Sequence, residues 1–273
     1  MLGSEGFVGR SLCEYLVRQD EEVTKFDIKR SEAEDGRTAL LDLSAVDRVY
    51  FLAWEVGGAK YLYKHENQVP QLTWNNRLML NIFSQLEQSG VPFLFVSSQL
   101  AEECDSVYGV TKRLGEVWTG LLGGVRVRLW NVFGGVEDIT EKSHVIADFV
   151  WQAVKSKEIR MLTTGAELRQ FVYIEDVCRA FHKALTERLT GIYDVTTFEW
   201  RSVLEVANTI ADITGSKVIP GTRAGSTPIT PIKGKIPGWH AEVDLRDGLQ
   251  RLVAKIEELH SRSTEAARDE AVR

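Results

Sequence analysis

Basic clusters, long apolar runs and paired cysteines are all missing from this 273-residue chain. Its 33 lysines and arginines are outnumbered by 39 aspartates and glutamates, giving a net charge of -6 with no basic block. Nucleic acid and acidic membrane surfaces ask for the opposite balance, so neither is expected as a partner, and a small ligand is. No stretch approaches the length of a membrane span, and the first residues have neither the charged segment nor the apolar stretch of a secretory signal, so a cytoplasmic protein is expected. The three cysteines, Cys13, Cys104 and Cys178, are odd in number, scattered, and without Cys-x-x-Cys or Cys-His spacing. That excludes a disulfide framework, gives no sign of a metal site, and points to a reducing compartment. Prolines are few, and four of the six fall in 215–240 together with five glycines. This density reads as an ordered loop region over a site rather than a linker.

What is present is alternation, in a chain long enough to bury a sizeable core as one large α/β domain or as a nucleotide domain with an appendage. "VGRSLCEYLVRQ" sets Val8, Leu12, Leu16 and Val17 on one helical face, and "EEVTKFDIKR" is a short β-rich run ending in Asp27. "VDRVYFLAW" and "VPFLFVSS" read as buried strands, with the amphipathic helix "QLTWNNRLMLNIFSQLEQSG" between them. "YGVTKRLGEVWTGLL" is helical, "VRVRLWNVFG" a strand running into a loop, and "HVIADFVWQAVKS" and "SVLEVANTIADITG" are later helices. Strands alternating with helices imply a doubly wound parallel sheet. The tail "HSRSTEAARDEAVR" is polar and expected to fray.

Three glycines, Gly3, Gly6 and Gly9, stand three apart at the start of the chain. That spacing lets a backbone turn tightly, approach a pyrophosphate closely, and pack the following helix against a sheet. Asp27 ends the next β-rich run, eighteen residues past Gly9, where a carboxylate accepts from an adenosine ribose and repels a 2′-phosphate. NAD is therefore expected over NADP. Lys29 and Arg30 follow at once, and a solvated turn is the plainer reading of both. The sharpest local pattern is "VSSQLAEECDSVYGVTK", in which Ser98 ends a buried strand and Tyr108 and Lys112 stand four apart on a helix. The four-residue step puts phenol and ammonium on one face, where the cation's field is expected to lower the phenol's pKa toward the working range.

These residues resemble the extended short-chain dehydrogenase/reductases, the nucleotide-sugar epimerase and dehydratase group, over nearly the whole chain. "GSEGFVG" is similar to the family's cofactor loop, which implies cofactor contacts at Gly3, Gly6, Phe7, Val8 and Gly9. "LDL" resembles its adenine-side contact, at Asp42 and Leu43, and "FLAWEVGG" the strand end whose alanine, Ala53, lies along the cofactor. In "NNRLMLN" the first asparagine, Asn75, is expected to brace the active site. "RLWNVFG" and "RQFVYIEDV" resemble the segments whose Asn131 and Arg169 contact the sugar nucleotide and its diphosphate, and "GWHAEVDLRDGLQRLV" the family's closing helix. The resemblance implies a Rossmann-like NAD domain over 1–131 with 163–185 returning to it, a substrate-binding part over 132–162 and 186–258, and a polar tail over 259–273. It also implies a homodimer pairing through helices at 71–89 and 108–122.

By that resemblance the expected activity is an NAD-dependent nucleotide-sugar epimerase. Tyr108 takes the proton of a sugar hydroxyl as hydride leaves for NAD, Ser98 bonds the forming carbonyl, and Lys112 holds the phenol and the nicotinamide ribose. A keto-sugar nucleotide reductase or a dehydratase is the alternative, and a catalytically disabled relative a further one. Family members that eliminate water carry Asp-Glu after the catalytic hydroxyl residue, and here those places hold Gln99 and Leu100, which weakens the dehydratase reading. Tyr108 stands only ten positions after Ser98, a short loop for this group. Gln99, Gly57 and Gly58 are expected at the sugar, while Trp54 and Val56 either wall its pocket or simply pack. Glu102, Glu103 and Cys104 lie inside the short loop as alternative acid, base or thiol groups, with solvated side chains and an inert thiol as the plainer reading. His144 and His240 read as structural, and Trp200 and Arg201 as weak candidates for the nucleotide.

One feature departs from the pattern. The family's first strand supplies about seven apolar residues before the first glycine, and only Met1 and Leu2 precede it here. The expectation is a sheet with a gap at its middle, in a chain that either starts downstream of its natural start or has lost the strand.

Overall fold

The computed structural model describes residues 1–103, 105–136 and 143–271. In chain order, α1 (Phe7–Arg18) leads to β1 (Val49–Phe51), α2 (Ala59–Leu62), α3 (His65–Ser89), β2 (Phe93–Ser98), α4 (Val107–Leu121), β3 (Val125–Leu129), β4 (Asn131–Phe133), α5 (Val145–Ser156) and β5 (Glu158–Arg160). It continues with β6 (Leu168–Arg169), β7 (Phe171–Tyr173), α6 (Ile174–Thr186), β8 (Gly191–Val195), β9 (Arg201–Ser202), α7 (Val203–Thr214), β10 (Lys217–Ile219) and α8 (Leu245–Ala271).

The main sheet runs β1-β2-β3-β8 with every neighbour parallel, the order that helical crossovers on both faces produce. β1 and the first four residues of β2 are apolar throughout because both faces of the sheet are covered there. Phe93 and Phe95 of β2 turn to one cluster with Phe51 and Leu78, Ile82 and Phe83 of α3. Leu94 and Val96 turn to the other, with Leu12 and Leu16 of α1 and Val177 and Phe181 of α6. The alternation of strand side chains thus divides one run of sequence between two layers. Beyond the sheet, the pairs β4·β7, β5·β10 and β6·β9 build the second half together with α5, α7 and α8.

Three expectations are corrected. Val17 is 59% exposed, because the buried stripe of α1 runs through Gly9, Leu12, Cys13 and Leu16 instead. The run ending in Asp27 forms no strand and bridges at Phe26 alone, to Leu2. The polar tail continues α8 to Ala271, on a helix anchored by buried Leu249, Leu252, Val253 and Ile256.

The gap at the middle of the sheet is narrower than the sequence suggests. Leu2 bridges Phe26 on one side and Phe51 on the other, both in parallel. Its amide donates to the Tyr50 carbonyl at 3.0 Å, and its own carbonyl accepts from Leu52 at 2.9 Å and Ala53 at 3.0 Å. Phe26 donates to the Met1 carbonyl at 3.0 Å, and the Met1 ammonium donates to the Thr24 carbonyl at 2.8 Å. Two residues therefore do the pairing that seats the glycine loop.

Candidate active site

The glycine loop leaves Leu2 and enters α1 at Phe7. Gly3 has φ of +87°, and a Cβ there would lie 2.6 Å from the Ala53 amide nitrogen. A Cβ on Gly9 would lie 2.0 Å from the Gly3 carbonyl oxygen, so loop, helix and strand end close on one another only without side chains. No side chain caps α1, whose N-cap residue is Gly6. Its first amides remain available to an anion, as a phosphate-binding helix start requires. Asp27 stands beside the loop: its carboxylate accepts from the amides of Glu5 and Lys29, each at 2.9 Å. Arg30 is paired with Glu34 at 3.3 Å, and Lys29 is exposed. Asp42 is exposed and bonded to Ser44, which holds its carboxyl below the usual range, while Leu43 packs against the α3 side of the core.

On the facing side, Ser106 caps α4, accepting from the Gly109 amide at 2.9 Å, and so fixes the helical phase of Tyr108 and Lys112. Ser98, Tyr108 and Lys112 come together and are 8%, 9% and 3% exposed. Burial pushes the Tyr108 phenol up to about 12, with a hydrogen bond to Ser98 pulling the other way. Its ring packs against Tyr61, Leu62, Trp54 and Leu100. The Lys112 ammonium donates to the Val96 carbonyl at 2.7 Å and stands 4.2 Å from the centre of the Trp54 ring, but 5.9 Å from that of Tyr108. Burial carries Lys112 itself well below its ordinary range, against the opposing field of Glu116. The expected lowering of the phenol by the ammonium is thus reversed: burial raises the phenol and lowers the ammonium, and the hydrogen bond that opposes the rise in Tyr108 comes from Ser98, not from Lys112.

Around this centre, Asn75 holds the segment after β1: it accepts from the Glu55 amide at 2.8 Å and donates to the Glu55 carbonyl at 3.2 Å. Gly57 and Gly58 are buried, and the Gly58 carbonyl accepts from Tyr61 and Leu62 to start α2. Gln99 is 5% exposed and its Oε1 accepts from Thr230 at 3.2 Å. Asn131 donates to the Gln170 carbonyl at 3.0 Å, so its amide spends a donor on the β4·β7 pair. Arg169, half-buried, donates to the Leu168 carbonyl, and burial lowers its pKa against the opposing fields of Glu167 and Glu103. Trp200 packs edge-on against Trp130, and Arg201 pairs with Glu199 and Glu205. Cys104 lies outside the described residues.

Sequence reasoning missed Glu116, although Tyr108, Lys112 and Glu116 continue one four-residue step. Glu116, 2% exposed, accepts from Ser97 at 2.7 Å and from Arg128, itself fully buried, at 2.6 and 2.7 Å. It missed Glu102 as a partner of the same arginine, at 2.8 Å. Burial pushes the Glu102 carboxyl upward, but Lys233 and Arg128 outweigh it and hold the group below its usual value. An anion so held is a poor proton donor. Among the described residues, no His, Cys, Asp or Glu group could hold a metal, and no helix is long and apolar enough to cross a membrane.

Residues 1–195 match the model of the NAD dependent epimerase/dehydratase family. The chain belongs to this family. A reductase of Pseudomonas aeruginosa, UDP-2-acetamido-2,6-beta-L-arabino-hexul-4-ose reductase, is 30% identical over 198 residues, 69% of this chain and 50% of that protein. The chain spans about half the length of the first curated relatives that it matches. Two solved structures share the fold: a UDP-glucose 4-epimerase of Thermotoga maritima with UDP-glucose, at TM-score 0.76 and 20% identity over 94% of this chain and 98% of that one; and a Thermus thermophilus UDP-glucose 4-epimerase in complex with NAD, at TM-score 0.74 and 21% identity over 93% and 96%. The family is NAD-dependent, and the side-chain-free cradle at Gly3 and Gly9, with open helix amides before it and the Asp27 carboxylate beside it, fits a dinucleotide.

Proposed function

We propose that this protein is an NAD-dependent nucleotide-sugar epimerase working through a transient keto-sugar. The observation that carries the reading is the convergence of Ser98, Tyr108 and Lys112 in one buried centre, with Gln99 and Leu100 in the places where elimination would need an acid and a base. Gly3, Gly6, Phe7, Val8, Gly9, Asp27, Asp42, Leu43 and Ala53 would hold NAD, with Tyr108 and Lys112 at its reactive end. When bound, NAD supplies the hydride acceptor and donor. Tyr108 exchanges the proton of the reacting hydroxyl, Ser98 hydrogen-bonds the oxygen as it becomes a carbonyl, and Lys112 orients the centre from Val96. Gly57, Gly58, Gln99, Asn131 and Arg169 would bind the sugar nucleotide. Residues 1–131 with 163–185 form the cofactor part in this reading, and 132–162 with 186–258 the substrate part.

A second reading, a keto-sugar nucleotide reductase, is favoured by the 30% identical reductase. The phenol raised to about 12 also favours it, since at neutral pH it holds the proton that a developing alkoxide takes. Denaturing the purified protein and identifying the released nucleotide comes first, followed by a panel of UDP-sugars. Released NAD and interconversion of two epimers without added cofactor support the epimerase. Stoichiometric consumption of NADH or NADPH supports the reductase, and an empty protein that neither binds nor turns over either cofactor overturns both.

We also infer a homodimer. Val110, Leu114, Val117 and Leu121 recur at helical spacing on the exposed side of α4, beside exposed Val69, Leu72 and Leu80 of α3. Leu114→Glu is expected to halve the mass read by light scattering. A wild-type chain that already runs as a monomer ends this inference.

A further inference from the structure

The segment carrying Thr230 and Lys233 lies across the short loop that follows Ser98, and it is tied there at separate points. Thr230 donates to Gln99 Oε1 at 3.2 Å. Lys233 Nζ stands 3.0 Å from Glu102 Oε1, which also lies 2.8 Å from Arg128 Nη2 and 3.7 Å from Arg113 Nη1. The amide of Lys233 donates at 2.6 Å to Asp194, a fully buried carboxylate at the end of β8. The tie therefore reaches β2 through Gln99 and Glu102, β3 through Arg128, and β8 through Asp194.

We propose that Glu102 is a positioning residue that clamps the 230–234 segment onto the Ser98–Glu102 turn, so that this segment becomes a fixed wall of the sugar site beside Gln99. Arg128 is fully buried and already carries Glu116, so its second carboxylate is aimed by a rigid element. Lys233 then joins a carboxylate that cannot swing away. Glu102 touches no reacting atom in this arrangement. Its effect on substrate passes through Gln99 and Thr230, which makes the clamp a device of specificity more than of rate.

The test uses the full chain with Glu102→Gln, Lys233→Met and the double variant. Its first readout is the rate of tryptic cleavage after Lys235, a site that all the variants keep. Each single variant should speed cleavage about tenfold by letting the segment open locally, and the double variant should be no faster than either single. The second readout rests on the proposed function: KM for UDP-glucose, or for the best UDP-sugar found, rises about tenfold in Glu102→Gln while kcat stays within about threefold. Unchanged cleavage in the single variants, or additive effects in the double, overturns the clamp. A kcat that collapses at constant KM also overturns it, by making Glu102 a proton-transfer group. If no nucleotide sugar is turned over, the proposed function fails while the proteolysis cycle still decides the clamp.

Discussion

On the α1 side of the sheet, one residue bridges two strands, whereas five residues of β3 pair with β2 on one side and five with β8 on the other. Within β3 the fully buried Arg128 is gripped by Glu116 and Glu102. The glycine loop thus hangs from a thin seam, and the Ser98 and Tyr108 hydroxyls from an over-determined block. Local stability follows the number of buried contacts and paired backbone groups, so the two halves of one site should open with different free energies. A lightly held loop can admit and release a dinucleotide. A proton relay works only if its geometry is already set.

The largest effect belongs to chemistry inside the block. Tyr108→Phe should lower turnover about 10²–10⁴-fold while NAD binding, which rests mainly on the glycine loop, weakens far less, as followed by fluorescence titration. Loss of NAD binding in that variant would mean that the halves are not separable. Arg128→Met comes next. It leaves the buried Glu116 carboxylate with only the half-exposed Arg113, at 3.1 Å, and Ser97 as partners, and should cost about 3 kcal/mol in urea unfolding, the low end for a broken buried pair. A cost no larger than that of an exposed pair would show the block to be less rigid than its geometry implies. Leu2→Ala should cost about 2 kcal/mol, the low end for a buried leucine. It should also speed hydrogen exchange at Gly3, Leu52 and Ala53 while leaving Val127 slow. Equal acceleration at all four would erase the contrast between seam and block.

The smallest effect is a titration. A phenol raised in the folded state contributes stability that is fully present below its unfolded pKa of about 10 and is lost as pH rises toward about 12. The difference in tyrosinate absorbance between wild type and Tyr108→Phe should therefore show a group ionising near 12. Titration near 10 would place the ring in water.

Much of this was legible in the residues. The strand-helix alternation gave the doubly wound sheet, and the motif order pointed to the family and to Ser98, Tyr108 and Lys112. What escaped lay in long-range burial. Nothing near Tyr108 in sequence says that Trp54, Tyr61 and Leu62 will dry it, so the sign of its shift was missed. Glu102 read as a loop carboxylate because its partners, Arg128 and Lys233, stand 26 and 131 positions away. The gap at the first strand was overdrawn because pairing was counted by strand length, while the seat of the glycine loop depends only on the last peptide units before it.

The single carbonyl of Leu2 accepts from both Leu52 and Ala53, and Gly3 is the next residue along the chain. The glycine turn and the alanine strand end are therefore geared through one peptide unit. A displacement of either is passed to the other, so the turn and the strand end move as one piece when the seam breathes.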